Sequence, residues 1–304
     1  MIMRMGEKIM NNLKPKGLAI SMIFEAESAN YGEGVGNVAS LKKLTRDKGE
    51  QYTYISRQAI RYNISEQLGE NLATVKAEGS GDKKVIQFAE EATIADYPEI
   101  DFFGYLKTSK GTVSGGKKRS AKVRLSNAIS LETFKGDLDF LTNKGLADRI
   151  DENMNIAQSE IHRSYYRYTV VMDLDQIGID EVYSIELDDE EKIRRVNKLL
   201  DTIAFLYRDI RGRREDLKPL FAIGGIYDIK NPIFENVLDV KDNRLIVKQI
   251  QGVMFDSIKE DTSCGLIEGK FNNDNEIREK LNALTMPEFF NGLKSKVKDY
   301  YEGK

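Results

Sequence analysis

The apolar positions of this chain fall into patterns that predict alternating strands and helices. From Gly17, "GLAISMIFEAES" is a nearly unbroken apolar run, rich in β-branched and aromatic residues, and predicts a buried strand. The following "ANYGEGVGNVASLKKLTRDKGE" is rich in glycine and charge and reads as a long loop, of a length usually tied to function. "YTYISRQAIRYNI", Tyr52 to Ile64, then passes from a strand-like run into a helix. Ser56 suits the N-cap, and Ile55 and Ile60 occupy the two positions of a hydrophobic staple. Ala59 stands where a capping box would need Glu or Gln. Ile60, Ile64 and Leu68 recur every four residues as a buried stripe, and Gly69 is the stop. On that register Arg57 and Arg61 stack one turn apart with Gln58 beside them, and none of the three is needed to start the helix.

Further on, 71–116 is mixed, with Pro and Gly punctuation and no clean long helix. In "SAKVRLSNAIS", Ala121, Val123 and Leu125 alternate with Lys122, Arg124 and Ser126, a strand with one apolar and one basic, hydroxylic face. "HRSYYRYTVVMDLDQIG" is another strand, carrying Tyr165, Tyr166 and Tyr168. "DDEEKIRRVNKLLDTIAFLYRDIRG" predicts the longest helix. It has acidic residues Asp188 to Glu191 at its start, Arg208 and Arg211 near its end, a stripe from Ile193 to Tyr207, and Gly212 as stop. Beyond it strands and turns alternate, with Gly224-Gly225 read as a turn, and "IREKLNALTMPEFFNGLKSKVKDYY" is an amphipathic helical end.

This order of elements suggests an α+β, ferredoxin-like core with long insertions at about 27–50, 71–116 and 213–250, in a single unit over 1–304. A core of that kind needs roughly 100 residues, so the excess length lies in the insertions. Hydrophobic content of 40% and charged content of 31% describe an ordinary globular protein. The chain has no apolar run of transmembrane length and no secretory leader pattern, so no membrane association and a cytoplasmic location are expected.

Scarcity narrows the chemistry. Cys264 is the single cysteine and His162 the single histidine, which excludes intrachain disulfides and His/Cys metal clusters. No phosphate-binding fingerprint is present, since "YGEGVGN" lacks the Lys-Ser/Thr and the glycine spacing that such loops require. No cofactor is expected. Net charge is −3, yet "KGTVSGGKKRSAKVR" carries Lys110, Lys117, Lys118, Arg119, Lys122 and Arg124 with no acidic residue. A concentrated basic segment in an acidic chain points to a localised anionic partner.

Three segments in this order resemble one family. They are "YISRQAIRYNI", then "DFFGYL" (Asp101 to Leu106) with "KKRSAKVRLSNAISL", and "EIHRSYYRYTVVMDLDQIG". Together they resemble the seven-type Cas protein, the backbone subunit of type I-B Cascade (DevR family, RAMP superfamily). The resemblance implies an RRM-like palm with inserted finger and thumb segments. It also implies a non-catalytic subunit that polymerises head-to-tail along crRNA, presents it to target DNA, and assembles with other Cascade subunits. Family members often carry two consecutive basic residues in the first helix, whereas Arg61 here precedes Tyr62 and Asn63. Part of the grip is therefore expected from Arg57. The C-terminal glycine-rich signature is poorly formed around Gly224.

The residues themselves agree with a single-stranded RNA partner. Lys42, Lys43, Ser56, Arg57, Gln58 and Arg61 supply cations, a hydroxyl and an amide for one wall, and Lys117, Lys118, Arg119, Lys122 and Arg124 for the other. Tyr165 and Tyr168 offer stacking surfaces but at strand spacing read first as core. The alternative is a RAMP-type endoribonuclease acting on CRISPR repeat RNA. It would need His162, which sits in an aromatic strand where a satisfied buried histidine is the simpler reading. An aspartate-dependent cleavage is disfavoured, because the loop Ala29 to Ser40 holds Glu33 but no Asp.

Overall fold

The computed structural model describes residues 13–32, 34, 36–79, 84–108 and 116–303. Glu33, Lys110 and the first twelve residues lie outside them. The architecture is a mixed α+β fold around one large sheet. The strand order across it is Leu284–Thr285, Ser263–Leu266, Phe221–Tyr227, Gly17–Ala26, Ser164–Asp173, Ala128–Ser130, Glu50–Ile55 and Lys43–Arg46, and Val123–Leu125 also pairs with Ser164–Asp173. All pairings are antiparallel except the edge pair Ser263–Leu266 with Leu284–Thr285.

The unbroken apolar run at Gly17 follows from burial on both faces of the sheet. Leu18, Ile20, Met22 and Phe24 enter one core and Ala19 and Ile23 the other. The neighbouring strand divides its side chains likewise: Tyr166, Tyr168, Val170 and Met172 against Tyr165 and Val171. The first core lies under three helices, Arg57–Gln67, Asp189–Ala204 and Met286–Tyr301. The second lies under 233–283, including the helices Val247–Gln251 and Asp274–Leu281. Asp188 and Thr285 cap two of the long helices through their side chains. No helix of the described residues is long and apolar enough to cross a membrane.

Three expectations are corrected. The segment after the first strand is not one loop: Lys43–Arg46 and Glu50–Ile55 form a hairpin closed at Asp47 and Gly49, both with positive φ. The long helix stops at Ala204, short of Gly212. Tyr207–Ile210 and Arg213–Asp216 pair instead as a hairpin whose two turn residues, Arg211 and Gly212, have φ of 51° and 76°. Gly224 and Gly225 are inside the strand Phe221–Tyr227, not in a turn. A Cβ on Gly224 would stand 2.1 Å from the Ala19 carbonyl oxygen, so the glycine there permits close strand approach and is no phosphate cradle.

Two excursions leave the sheet. One, over 71–122, carries the hairpin Val75–Glu78/Val85–Phe88, the helix Pro98–Phe103 and the pair Tyr105–Lys107/Lys117–Arg119, around a small core of Ala89, Ala92, Ile94, Ile100 and Tyr105. The other, over 131–163, is a hairpin of Asp137–Thr142 and Ile156–Ile161. Sequence reasoning did not single it out.

Candidate nucleic-acid interface

The start of the helix Arg57–Gln67 gathers three parts of the chain. Ser56 Oγ accepts from Ala59 N at 3.3 Å, the N-cap bond. Ser56 N donates to Asn30 Oδ1 at 2.7 Å, and Arg57 N donates to Asn127 Oδ1 at 2.9 Å. Asn30 belongs to the segment after the first strand, and its carbonyl accepts from Lys42 N at 2.7 Å. Asn127 lies in the break between Val123–Leu125 and Ala128–Ser130. Lys42, Ser56, Arg57 and Gln58 are thereby held around one point, beside the basic strands. The side chains of Lys42, Arg57 and Gln58 are exposed and, among the described residues, make no hydrogen bond or ion pair. Sequence reasoning missed Asn30 and Asn127. Ser126-Asn127 between two short apolar runs was a legible turn signal for the second.

Arg61, one turn on, is half-buried and lies over the Phe103 ring, 4.7 Å from its centroid. Among the described residues it forms no ion pair, and desolvation holds it below its ordinary pKa, with Glu99 opposing.

The remaining candidates divide by environment. Among the described residues Lys118 is exposed and unpaired, and Lys122 Nζ meets Ser120 Oγ at 3.3 Å, its pKa lowered by desolvation. Arg124 pairs with Asp173 at 2.8 Å and Lys117 with Glu90 at 2.5 Å, and both cations remain about half exposed. Such surface pairs are weak enough for a phosphate to compete.

Two candidates are corrected. Lys43 is drawn inward, pairing with Glu160 at 2.5 Å and lying 4.2 Å from the Phe134 ring centroid. Arg119 is buried: Nη2 binds Asp101 Oδ1 at 2.8 Å, Nη1 donates to the Asp101 carbonyl at 2.6 Å, and further bonds reach the Gln176 and Ile179 carbonyls. These bonds hold its guanidinium inside the protein, so it is drawn out of the exposed basic set.

His162 is also buried. Its Nδ1 lies 2.8 Å from Thr53 Oγ1, its ring packs edge-on against Phe134, and burial holds its pKa down. Tyr165 stacks on Phe271 and donates to the Lys270 carbonyl, and Tyr168 is enclosed beside Phe24. Neither ring is open to a base. Among the described residues no group of His, Cys, Asp and Glu is arranged to hold a metal ion.

Comparison with known proteins bears on family and fold. Residues 18–241 match the family described as CRISPR-associated negative auto-regulator DevR/Csa2. No curated protein matches the chain. A chain of a solved "CRISPR RNA-guided surveillance complex, pre-nicking" has a similar fold, with a TM-score of 0.62 and 13% identity, covering 92% of this chain and 100% of that one. A second, from a "CRISPR RNA-guided surveillance complex", gives 0.54 and 15%, covering 92% and 99%.

Proposed function

The chain belongs to the DevR/Csa2 CRISPR-associated family, and from that premise we propose that it is a non-catalytic, crRNA-binding backbone subunit of a type I Cascade, of the I-B kind. The observation that carries the reading is the set of polar side chains unpaired among the described residues, Lys42, Arg57 and Gln58, on backbone that Asn30 and Asn127 fix around one helix start. Lys118 and Lys122 on the adjacent basic segment extend it. Cations with amide and backbone donors between them hold a phosphate backbone without reading its bases.

The strand order supports a ferredoxin-like palm. Phe221–Tyr227, Gly17–Ala26, Ser164–Asp173 and Ala128–Ser130 are neighbours, with helices Arg57–Gln67 and Asp189–Ala204 as the two crossovers. On this reading the excursion over 71–122 is the finger segment and the hairpin over 131–163 the thumb. Each exposes large apolar side chains: Val75, Ile86 and Leu106 on the first, Phe140, Leu146 and Ile150 on the second. Two different apolar faces on one chain suit a head-to-tail contact that repeats along RNA, rather than a closed dimer.

Purifying the protein from cells that express a CRISPR array and sequencing its bound RNA tests the assignment. Guide-length RNA retained by the wild type and lost from Arg57→Ala supports it. Equal retention by both proteins overturns the site. Incubation with repeat RNA, with and without Mg²⁺, tests the absence of catalysis, and robust cleavage lost in His162→Gln would move the assignment to an endoribonuclease.

A further inference from the structure

The segment Asp101 to Tyr105 is held with unusual firmness for part of an excursion. Asp101 is fully buried and accepts from Arg119, from Arg195 of the long helix and from Gly178 N. Gly104 has a φ of 70°, and a Cβ there would stand 2.2 Å from the Arg119 carbonyl oxygen, so only glycine fits. Tyr105 OH donates to Asp180. Lys122 N donates to the Phe102 carbonyl at 2.8 Å. Fixed between these anchors, Phe103 presents its ring to Arg61 at 4.7 Å.

Arg61 needs that support. Its guanidinium is half-buried, and among the described residues no carboxylate, carbonyl or hydroxyl accepts from it. A guanidinium carries five in-plane N–H donors, and leaving them unpaired in a partly desolvated place is unfavourable. The ring lies beside the guanidinium carbon, and among the described residues no acceptor meets the guanidinium N–H donors. Arg57, one turn earlier on the same helix, belongs to the proposed RNA wall.

We infer that Phe103 is a positioning residue for RNA binding: it holds the Arg61 guanidinium flat so that its donors meet a backbone phosphate of the bound strand. The inference rests on reading this helix start as an RNA contact. The cation–π pair links the finger excursion to the palm helix, so the grip depends on the finger being docked. A Leu at 103 keeps the apolar volume and removes the π face.

The test is a binding titration with a fluorescent single-stranded RNA between 50 and 200 mM salt. Phe103→Leu is expected to weaken binding between about 2-fold and 10-fold, the range of a partly desolvated cation–π pair. It should also flatten the salt slope by about 0.7, one phosphate contact on a single strand. Phe103→Tyr, which keeps the ring, should bind as the wild type does. In an Arg61→Ala background Phe103→Leu should add nothing. A structural defect alone would lower the active fraction and leave the slope unchanged. Should the Leu variant fail to fold, Phe103→Met carries the same test. An unchanged slope, additive losses with Arg61→Ala, or wild-type binding by Arg61→Ala each overturn the inference. Arg57→Ala and Lys118→Gln, measured alongside, read the RNA assignment independently. If they weaken binding while the Phe103 variants do not, the positioning role alone falls. If none of the variants changes binding, both readings fall.

Discussion

Lys118 and Arg119 are consecutive cations in one short strand, and replacing each with Gln is expected to have opposite consequences. Arg119 is 4% exposed and its partner Asp101 0%. Taking one partner from a buried ion pair typically costs about 3–5 kcal/mol, because a charge is left uncompensated. Arg195, 3.2 Å from the other Asp101 oxygen, stays in place, so the lower end applies, about 3 kcal/mol. For a chain of 304 residues that lowers the thermal midpoint by about 5 °C. Lys118→Gln removes no contact and should shift stability by under about 0.5 kcal/mol, while flattening the salt slope of RNA binding by about 0.7. The pH dependence follows from the same site. Burial pushes the Asp101 carboxyl up, and Arg119 and Arg195 pull it back. Losing Arg119 moves it further up, and a protonated Asp101 no longer needs the lost cation. The deficit of Arg119→Gln should therefore shrink as pH falls. Urea unfolding followed by far-UV circular dichroism, at several pH values, measures both proteins. Equal stability of the two variants at neutral pH would refute the burial argument, and a deficit that grows on acidification would refute the electrostatic one.

Ser56→Ala removes the N-cap bond and should cost about 1 kcal/mol in urea unfolding. Arg57→Ala, at an exposed unpaired site, should leave the thermal midpoint nearly unchanged and weaken RNA binding. Burial lowers the His162 pKa from the ordinary 6.5, so the unfolded chain takes up a proton first. Stability tied to this residue is present above about pH 6.5 and lost as pH falls through that region, and His162→Gln should show a shallower loss there, with RNA binding intact. Light scattering on RNAs of increasing length should show mass growing in steps and collapsing after ribonuclease treatment, whereas a constant dimeric mass would end the polymer reading.

The elements that could be read from the sequence were those whose pattern is set by one dominant effect. Two-sided burial writes itself as an unbroken apolar run at Gly17, and a single buried stripe with a cap writes the helix after Ser56. The mistakes share a cause. Tyr207 falls on the helical period of the preceding stripe, so the hairpin Tyr207–Asp216 looked like more helix. Arg211-Gly212, between residues that pair as Ile210 with Arg213, was the hairpin signal that outweighs it. The glycines at 224 and 225 sat in a strand because the neighbouring backbone comes too close for a side chain, a tertiary fact with no local trace.

The candidate site was legible in kind but not residue by residue, and strand geometry explains why. Side chains alternate across a strand. In Lys117–Arg119 the outer two turn towards the body, Lys117 to Glu90 and the Tyr183 ring, Arg119 to Asp101, and Lys118 faces solvent. The alternation itself is visible in sequence, but which face meets carboxylates is not. The partners lie far along the chain: Asp101 is 18 residues from Arg119, Glu90 27 from Lys117, Asp173 49 from Arg124 and Glu160 117 from Lys43. A local charge count therefore overstates the free cation, since folding brings acidic residues from elsewhere to much of the basic run. What remains unpaired, Lys118 and Lys122 there and Lys42, Arg57 and Arg61 near the helix start, is a smaller set than composition suggested. None of these five forms an ion pair among the described residues, so they are the candidates left open to an external anion.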